Sequence, residues 1–413
     1  MNRGSLRTLF QGVGVKRLSA VDANPAISNQ HEVGTTDAMR RQFLGADQKQ
    51  QFPVHYVWLG EGSPGVISAV GIATHYDTRA EQTHRGPEWR LYYPSNAVTE
   101  AMREGDTLFL ARARDGNRLW FIVAQAGSTG DRQLAWLFGL HPQGRSFVSR
   151  AIDDDMELGF AARYVLGELG FTAGDSDTDR LEALIEPFGG CFPTTAAMAD
   201  LARRSAPMPV PPREDPDAAL LAWLEHEEAL FRRLERRNVA ERLEAGFLTA
   251  DGGADVDGFI SFSLSVQNRR KSRMGHSLEH HVATILDAWN LEYEREALTE
   301  NGHRPDFLFP SSQAYRMAVS GAPVLTMLGA KSTCKDRWRQ VLAEAVKIPQ
   351  KHLLTLEPGI TETQTLQMQE ANLQLVVPQA IHDSYTDAQR PWLWSLADFM
   401  ATVAQRQETG IYG

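Results

Sequence analysis

Short apolar segments follow one another through the first third of the chain, and they have the length and composition of β-strands. The turn residues Asp115-Gly116-Asn117 separate the last two segments, as in a hairpin. The segments are residues 54–59, 66–73, 107–111 and 119–124. This part of the chain is predicted to be mostly β-structure, a barrel or a sandwich, and a helical stretch is predicted to follow from Asp153 towards Leu169.

The second half of the chain alternates between helical and strand-like patterns. Apolar residues from Leu278 to Trp289 recur on one face of a helix. Further helices are predicted over residues 217–245, 336–348 and 392–404, and strands over residues 307–309, 324–330, 352–356 and 373–377. This alternation predicts an α/β domain whose central mixed sheet is flanked by helices.

A proline-rich segment at residues 206–213 marks the boundary between the halves. Its four prolines favour an extended backbone and exclude helix. We therefore predict an N-terminal domain over residues 1–170, a linker region over 171–213 and a C-terminal domain over 214–413.

The net charge of −10 argues against a nucleic-acid partner, but the distribution of charge does not. Residues 151–260 hold 23 Asp and Glu against 10 Lys and Arg, whereas residues 261–350 hold 12 Lys and Arg against 9 Asp and Glu. Salt screens charges over about 8–10 Å, so a local basic surface attracts phosphate regardless of distant acidic residues.

Several classes of protein are disfavoured by simple features of the chain. No apolar run is long enough to span a membrane, and the basic N-terminus lacks the apolar stretch of a secretory signal. Cys191 and Cys334 alone cannot form a disulfide framework or a cysteine zinc site. We expect a cytoplasmic protein in a reducing compartment.

Two carboxylates and a lysine stand out in the C-terminal half. Asp306 begins a predicted strand, Lys331 ends the next one, and Glu344 lies on the predicted helix that follows. Carboxylate oxygens bind hard divalent cations, and a lysine stabilises charge at a phosphodiester. These three side chains predict a metal-dependent nuclease site.

The spacing around Lys331 departs from the usual nuclease pattern. That pattern has an acidic residue two positions before the lysine, where this chain has Gly329. Arg337 and Glu344 are predicted to share one helical face, so we expect Glu344 to supply the missing acid from the helix.

The basic run from Asn268 to Arg273 precedes the predicted helix at residues 277–289. Free backbone N–H groups at a helix N-terminus would add to its attraction for phosphate, although a solvated loop is the commoner explanation. Glu279 in the first turn would favour the helix dipole. His276, His280 and His281 are interpreted as surface residues rather than metal ligands.

These residues resemble the EcoRII-type restriction endonucleases, a two-domain family with the PD-(D/E)xK nuclease fold. The resemblance is strongest over residues 265–347. The matching segments are residues 265–266, 268–273, 277–279, 305–311, 314–315, 331, 333–340 and 375–378.

The resemblance implies roles for individual side chains. Mg²⁺ would be bound by Asp306 and Glu344, with Glu279 as a further ligand, and Lys331 would be the catalytic lysine. Tyr315 and Arg337 would be accessory catalytic groups, with Lys271 assisting at the phosphate. The residues that would read C·G pairs are Lys335, Asp336, Arg337 and Arg339.

The N-terminal half resembles the effector domain of the same family, a DNA-binding pseudobarrel. It departs from that domain where Gln82, Gly86, Pro87 and Trp89 dilute a more basic loop. The residues implied to bind effector DNA are Lys16, Arg17, His31, Arg79, Arg85, Glu88 and Arg90.

The resemblance implies a type IIE-like restriction endonuclease that cuts double-stranded DNA at a short CCWGG-like site. A homodimer would cut both strands, a second copy of the site would bind the N-terminal domain and regulate cleavage, and a cytosine methyltransferase would be the functional companion. In our interpretation, this regulation of cleavage includes autoinhibition. Two alternatives remain open: a structure-selective repair or recombination nuclease, and a non-catalytic DNA-binding regulator.

Overall fold

A computed structural model describes residues 5–23, 31–45, 48–61, 66–81, 84–115, 118–155, 157–171, 178–249, 251–334 and 337–411. The chain divides into two units. The N-terminal unit is Asn2–Gly174 with Pro358–Thr361, and the C-terminal unit is Asp175–Glu357 with Glu362–Gly413. In the part of the chain that is described, no helix combines the length and the hydrophobicity needed to cross a membrane.

The strands of the N-terminal unit form one eight-stranded sheet in the order β2-β5-β4-β3-β7-β6-β1-β8. Neighbouring strands are antiparallel except β3 and β7, which run parallel. Their bounds are β1 Phe10–Arg17, β2 Glu32–Gly34, β3 Gln50–Leu59, β4 Val66–Asp77, β5 Trp89–Tyr92, β6 Thr107–Ala113, β7 Leu119–Ala124 and β8 Val148–Ala151. The β character and the hairpin predicted around residues 115–117 are confirmed, although residues 116–117 lie outside the described part.

Apolar side chains cover both faces of this sheet. β7 is buried along its whole length, so its sequence reads as a continuous apolar run rather than an alternation. The helices of this unit are α1 Leu6–Leu9, α2 Ala20–Ala23, α3 Asp37–Met39 (continued by a π-helical turn, Arg40–Leu44), α4 Ala97–Ala101, α5 Thr129–Phe138 and α6 Phe160–Glu168. The predicted helix therefore begins at Phe160 and not at Asp153, which lies in an irregular segment.

The C-terminal unit contains a five-stranded mixed sheet in the order β13-β12-β11-β10-β9. β11, β12 and β13 are mutually parallel, whereas β10 is antiparallel to both of its neighbours. The bounds are β9 Glu294–Arg295, β10 Phe307–Phe309, β11 Thr326–Lys331, β12 Lys351–Thr355 and β13 Leu373–Val376. The predicted mixed α/β architecture is confirmed here.

Helices flank this sheet and build the rest of the unit. They are α7 Thr178–Ile185, α8 Thr195–Ser205, α9 Pro216–Ala245, α10 Val256–Ala288, α11 Ser312–Met317, α12 Trp338–Val341, α13 Glu362–Glu370 and α14 Leu396–Ile411. Short 3-10 helices occupy Glu186–Phe188, Glu300–Gly302, Gln379–Ser384 and Arg390–Trp392. The predicted linker region 171–213 thus contains α7 and α8, while its proline-rich end is irregular.

Two sequence predictions about helices are wrong in the C-terminal unit. Helix α10 begins at Val256, so the basic run at residues 268–273 lies in its middle and has no free N-terminal N–H groups. Helix α12 ends at Val341, so Glu344 lies in a turn and shares no helical face with Arg337. Ala345 has a left-handed backbone conformation, φ 46°, which a continuous helix does not allow.

Candidate active site

Asp306 and Lys331 meet because β10 and β11 pair with each other. Phe307 lies opposite Leu328 in the antiparallel register, which brings the residue before β10 beside the end of β11. The Lys331 Nζ lies 2.8 Å from Asp306 Oδ2 and 3.1 Å from Oδ1. The backbone N–H of Ala330 also donates to Oδ2, at 2.6 Å. Both side chains keep some access to solvent, with 13% of Asp306 and 22% of Lys331 exposed.

The packing at Gly329 explains the missing acid of the usual nuclease pattern. A Cβ atom at this position would lie 3.0 Å from Val341 Cγ2 and 3.4 Å from Val341 Cγ1. An acidic side chain at position 329 would therefore displace the core beneath α12. The second carboxylate that interacts electrostatically with Asp306 comes instead from Glu344.

Glu344 reaches this centre from the turn after α12. Its backbone N–H donates to the Val341 carbonyl, at 3.2 Å. Within the described residues its Oε2 atom is buried and has no hydrogen-bond partner. A buried carboxylate oxygen that lacks a hydrogen-bond donor lowers the stability of a folded protein. Its presence therefore indicates that a ligand binds here.

Glu344 interacts electrostatically with Asp306, Lys331 and Lys351. Burial raises its pKa to about 7, and the nearby negative charge of Asp306 adds to this rise. Lys331 and Lys351 act in the opposite direction but do not cancel it. The raised pKa shows that the two lysines do not fully compensate the negative charge of the Glu344 carboxylate beside that of Asp306, and a bound cation would relieve this.

Glu279 approaches the same centre from α10. Burial raises its pKa and the charge of Asp306 raises it further, while Arg295, His276 and Lys331 lower it. The Arg295 guanidinium, on β9, donates to Glu279 Oε2 at 3.1 Å. Glu279 therefore belongs to the site, and we name Asp306, Lys331, Glu344 and Glu279 the carboxylate cluster.

Lys351 is a residue of this site that the sequence did not reveal. Its ammonium is buried and donates at 2.5 Å to the carbonyl groups of both Glu344 and Ala345. Burial lowers the pKa of Lys351 to about 8, although Glu344 and Glu300 oppose that shift. It thus fixes the turn that carries Glu344. A lysine at the start of an apolar strand gives no sign of this role, because its partners are backbone atoms.

The carboxylate cluster fits a hard divalent cation without forming a complete set of ligands. In the described part of the chain, no three His, Cys, Asp or Glu side chains come together closely enough to hold a metal ion. Mg²⁺ is commonly held by only one or two carboxylates and completes its shell with water and phosphate oxygens. The unpartnered Oε2 of Glu344 beside Asp306 suits that kind of site.

Tyr315 and Lys271 are two further residues that were predicted to be catalytic. The Tyr315 hydroxyl donates to Glu300 Oε2 at 2.6 Å and accepts from the Lys347 N–H at 3.0 Å. Burial and the bond to Glu300 raise the pKa of Tyr315 to about 12. The Tyr315 hydroxyl is therefore bonded to Glu300 and to the turn that contains Lys347. The Lys271 backbone lies in α10, and its side chain is outside the described part.

The predicted base-reading residues lie around the start of α12. Arg337 is exposed, and its N–H donates to the Cys334 carbonyl at 2.8 Å. Arg339 is also exposed; its guanidinium lies 4.5 Å from the Trp338 ring centroid and donates to Gln367 at 3.2 Å. Lys335 and Asp336 lie outside the described residues.

Two arginines of the basic run in α10 have partners within their own chain. Arg270 makes bonds of 2.5–2.9 Å to Glu235 on α9. Arg273 is buried and pairs with Glu227 at 3.3 Å and also with Glu228. Both arginines are therefore engaged within the chain, and their contact with phosphate stays a prediction without the helix N-terminus on which it was based.

The histidine prediction is wrong at one position. His276 is exposed and His280 is half-buried, but His281 is fully buried. Its Nε2 lies 2.8 Å from Glu227 Oε2, and Ser277 donates to the other oxygen of the same carboxylate. We name Glu227, Arg273, Ser277 and His281 the helix-pair cluster.

Six of the seven candidate effector residues, all except Arg85, make contacts with described residues of the N-terminal unit. Lys16 is buried and pairs with Asp22 at 2.8 Å, and Arg17 donates to Asp131 at 2.9 Å.

Arg90 connects Glu88 and Glu32, at 2.6 and 3.2 Å, and Arg79 also pairs with Glu88. His31 packs edge-on against Tyr93, and Arg85 is exposed. A network of arginines and carboxylates therefore lies where β4 ends and β5 begins, and it extends to the buried Glu32 side chain on β2.

Comparison with known proteins supports the resemblance for the C-terminal half. Residues 231–400 match the family model described as EcoRII C terminal. The type II restriction enzyme EcoRII of Escherichia coli is 41% identical over 199 residues, which cover 48% of this chain and 46% of that protein. The chain thus matches just under half the length of this relative. The predicted resemblance to EcoRII-type restriction endonucleases is confirmed over that region.

Solved structures also align with part of the chain. Metal-depleted Ecl18kI in complex with uncleaved, modified DNA aligns with a TM-score of 0.42 and 16% identity, over 56% of this chain and 84% of that one. The complex of restriction endonuclease PspGI with substrate DNA aligns with a TM-score of 0.39 and 15% identity, over 56% of this chain and 93% of that one.

Proposed function

We propose that this chain is a type II, IIE-like restriction endonuclease that hydrolyses phosphodiester bonds of double-stranded DNA at a specific site. The observation that carries the proposal is the carboxylate cluster: Lys331 bonds to Asp306, and a buried, unpartnered oxygen of Glu344 faces the same charges. The 41% identity of the surrounding region to a type II restriction enzyme supports it.

Lys331 would act on the scissile phosphate. Its ammonium is held by both oxygens of Asp306, so its position is fixed before DNA arrives. A fixed ammonium stabilises the negative charge that develops on phosphorus-bound oxygens and orients an attacking water molecule. In-line attack of water on phosphorus would leave a 5′-phosphate.

Asp306 and Glu344 would hold Mg²⁺, with Glu279 as a further ligand. The cation would stabilise charge on the phosphate and lower the pKa of the attacking water. Glu344 must lose its proton to bind a cation, and its pKa of about 7 allows this near neutral pH. Arg295 restrains Glu279, and Lys351 restrains the turn of Glu344, so the carboxylates would need little rearrangement.

We propose a CCWGG-like target that is read by the segment around α12. Exposed arginines donate well to guanine O6 and N7, and aspartate accepts from cytosine N4. Arg337 and Arg339 are exposed at this position. Lys335 and Asp336 complete the proposed set of base-reading residues. Tyr315 and Lys271 remain proposed accessory groups at the phosphate.

The N-terminal unit would bind a second copy of the target and regulate cleavage. Its sheet, interpreted as a pseudobarrel, presents polar groups from Tyr76 to Arg90, and loops on a rigid scaffold are common binding sites. The residues proposed to contact effector DNA are Lys16, Arg17, His31, Arg79, Arg85, Glu88 and Arg90. A homodimer would cut both strands of a near-palindromic site. A cytosine methyltransferase would protect the host DNA.

Digestion of plasmid DNA with and without Mg²⁺, followed by sequencing of the ends, tests the proposal. We expect metal-dependent ends with 5′-phosphates at one short sequence, and Lys331→Ala should bind the same DNA without cutting it. Scattered ends at branched or damaged DNA would instead indicate a structure-selective nuclease. Intact DNA with the native chain would indicate a regulator without catalytic activity.

Plasmids with one or two copies of the mapped site test the regulatory role. We expect faster cleavage of the two-site plasmid, and stimulation of the one-site plasmid by a short duplex that carries the site. A chain that begins at Asp175, where the C-terminal unit begins, should cut both plasmids equally. Equal cleavage by the full chain would contradict regulation by a second site.

A further inference from the structure

The four residues 344–347, which we name the Glu344 turn, form an irregular segment between α12 and β12. Each of them has one backbone group bound by a side chain. The buried Lys351 ammonium binds the first two residues through their carbonyl groups. The third and fourth, Val346 and Lys347, are bound through their N–H groups instead. The position of this turn therefore depends on side chains that lie outside it.

Glu300 and Tyr315 provide the bonds to these two N–H groups. The Tyr315 hydroxyl accepts from the Lys347 N–H at 3.0 Å and donates to Glu300 Oε2 at 2.6 Å. The Glu300 carboxylate also accepts from the Val346 N–H. The bond to Lys347 uses its backbone and not its ammonium, which donates to three carbonyl groups at the end of α11. One carboxylate therefore reaches the turn twice, directly and through Tyr315.

The backbone of the Glu344 turn has a conformation that needs support. Ala345 is left-handed, with φ 46°, and a non-glycine residue keeps such a backbone only where its surroundings hold it. The carboxylate of Glu344, one residue earlier, is the proposed metal ligand, and among the described residues its Oε2 atom has no hydrogen-bond partner. The bonds to the turn, rather than a bond to that oxygen, therefore set the position of the ligand.

Charge links Glu300 to the same turn. Burial lowers the pKa of Lys351 to about 8, and the negative charges of Glu344 and Glu300 oppose this fall. For Glu300 itself, burial would raise the pKa, but the bonds from Tyr315 and Val346 outweigh it and the pKa is lowered. The Glu300 carboxylate therefore stays ionised at neutral pH, where both of its oxygens accept hydrogen bonds.

We propose that Glu300 is a positioning residue for the metal ligand Glu344, a role that rests on the proposed function. Lys351 binds only the first half of the Glu344 turn, through two carbonyl groups. Glu300 fixes the second half, directly through Val346 and by way of Tyr315. With both halves of the turn fixed, the Glu344 carboxylate meets the cation with little rearrangement.

Binding of Mn²⁺ to the full chain, with an uncleavable duplex of the mapped site present, tests this role. Electron paramagnetic resonance of the free ion gives the dissociation constant. Glu300→Ala should raise that constant by about tenfold, as expected for a group that orients a metal ligand. Glu300→Gln should raise it less, because its amide oxygen still accepts a hydrogen bond from the turn or from Tyr315. Equal losses in the two variants would assign the effect to charge and contradict the proposal.

Glu294→Ala is the matched control. The Glu294 carboxylate accepts from the Ser312 N–H at 2.8 Å, at the start of α11, so it also holds a backbone N–H group but not one of the Glu344 turn. Both alanine variants should lower the free energy of unfolding in urea, whereas only Glu300→Ala should weaken Mn²⁺ binding. Native Mn²⁺ affinity in Glu300→Ala, or an equal loss of affinity in Glu294→Ala, would overturn the proposal.

The Tyr315→Phe substitution tests the route through the hydroxyl, because it keeps the ring and removes the group that joins Glu300 to Lys347. Its effect on the Mn²⁺ dissociation constant should be less than additive with that of Glu300→Ala, since the two residues share one path to the turn. Additive losses would show that they act separately and would contradict this route.

The proposed function and this inference fail in different ways. A native chain that binds no Mn²⁺ and cuts no DNA would refute the proposed function, and this inference with it. A chain that cuts DNA with Mg²⁺, but binds Mn²⁺ equally well with and without the Glu300→Ala substitution, would refute this inference alone.

Discussion

Two groups of charged side chains in the C-terminal unit differ in whether their charges are balanced. In the helix-pair cluster, Glu227 is fully buried and receives bonds from Ser277, His281 and Arg273. In the carboxylate cluster, Glu344 keeps an oxygen without a donor. Both clusters combine acidic and basic residues, so residue type alone does not separate them.

The pKa values follow this difference. Burial would raise the pKa of Glu227, but bonds from His281 and Ser277 outweigh it and lower the pKa. For Glu344, burial and Asp306 act together, and the lysines do not cancel them. The helix-pair cluster, whose buried carboxylate is fully hydrogen-bonded, stabilises the α9–α10 helix pair. The carboxylate cluster, whose buried Glu344 oxygen has no donor, is suited to binding a ligand. The predictions below test this distinction, beginning with the largest expected effect.

The Asp306→Asn substitution should reduce single-turnover DNA cleavage by about 10³-fold or more, because it removes a proposed cation ligand and the partner of Lys331. Fold stability should change little, since an asparagine oxygen can still accept from Ala330. Asp200→Asn, at a half-exposed ion pair on α8, is the matched control and should cut at the native rate. Unimpaired cleavage by Asp306→Asn would remove this residue from the chemistry.

The Arg273→Met substitution should lower the free energy of unfolding by about 3–5 kcal/mol, because it leaves Glu227 buried without its cation. Urea denaturation measures this change. Arg204→Met, which breaks an exposed pair with Asp200, should cost less than about 1 kcal/mol. If Arg273→Met were stable but bound DNA poorly, the arginine would contact phosphate after all.

The Glu344→Gln substitution should reduce cleavage by about 10²-fold. It should not lower the melting temperature at pH 8, because glutamine removes a buried charge that lies near Asp306. Glu227→Gln is the contrasting variant and should lower the melting temperature, since its carboxylate is bonded to three donors. Equal destabilisation by the two substitutions would show that the clusters do not differ as we propose.

Cleavage should fall by about tenfold for each pH unit below 7 when Mg²⁺ is subsaturating. The raised pKa means that Glu344 is protonated below about pH 7, and a protonated carboxyl binds cations poorly. More Mg²⁺ should move the midpoint to lower pH, because cation and proton compete. A pH profile that Mg²⁺ does not shift would indicate that another group controls the rate.

The Lys351→Met substitution should raise the Mg²⁺ concentration for half-maximal cleavage by about tenfold, as expected for a group that orients a metal ligand. It removes the two bonds that fix the turn of Glu344. Lys347→Met is the matched control, because the Lys347 ammonium donates to three carbonyl groups at the end of α11 instead. An equal shift in both variants would indicate a general loss of stability.

Much of the fold follows from local patterns in the sequence. Strands β3, β4, β6 and β7 were predicted within a few residues because their apolar segments are bounded by turn residues, whereas β1, β2, β5 and β8 were not predicted. Asp306 and Lys331 could be expected to meet, since each adjoins a short apolar strand and neighbouring strands in a chain usually pair. Their roles in catalysis remain a proposal.

The errors arise where distant residues decide the local structure. The helix predicted through Glu344 ends at Val341 because the next turn is held by Lys351 and contains the left-handed Ala345. The basic run was predicted to face phosphate, but its partners Glu235 and Glu227 lie 35 and 46 residues away along the chain. No local pattern identifies such partners.

The most direct test of the carboxylate cluster is a count of bound metal ions. Electron paramagnetic resonance of Mn²⁺, with an uncleavable duplex of the mapped site present, measures the free ion that remains in solution. We predict that the native chain removes Mn²⁺ from solution, and that the Asp306→Asn, Glu344→Gln double variant binds the duplex but leaves the ion free. Equal Mn²⁺ binding by both proteins would contradict the assignment of these carboxylates as the metal site.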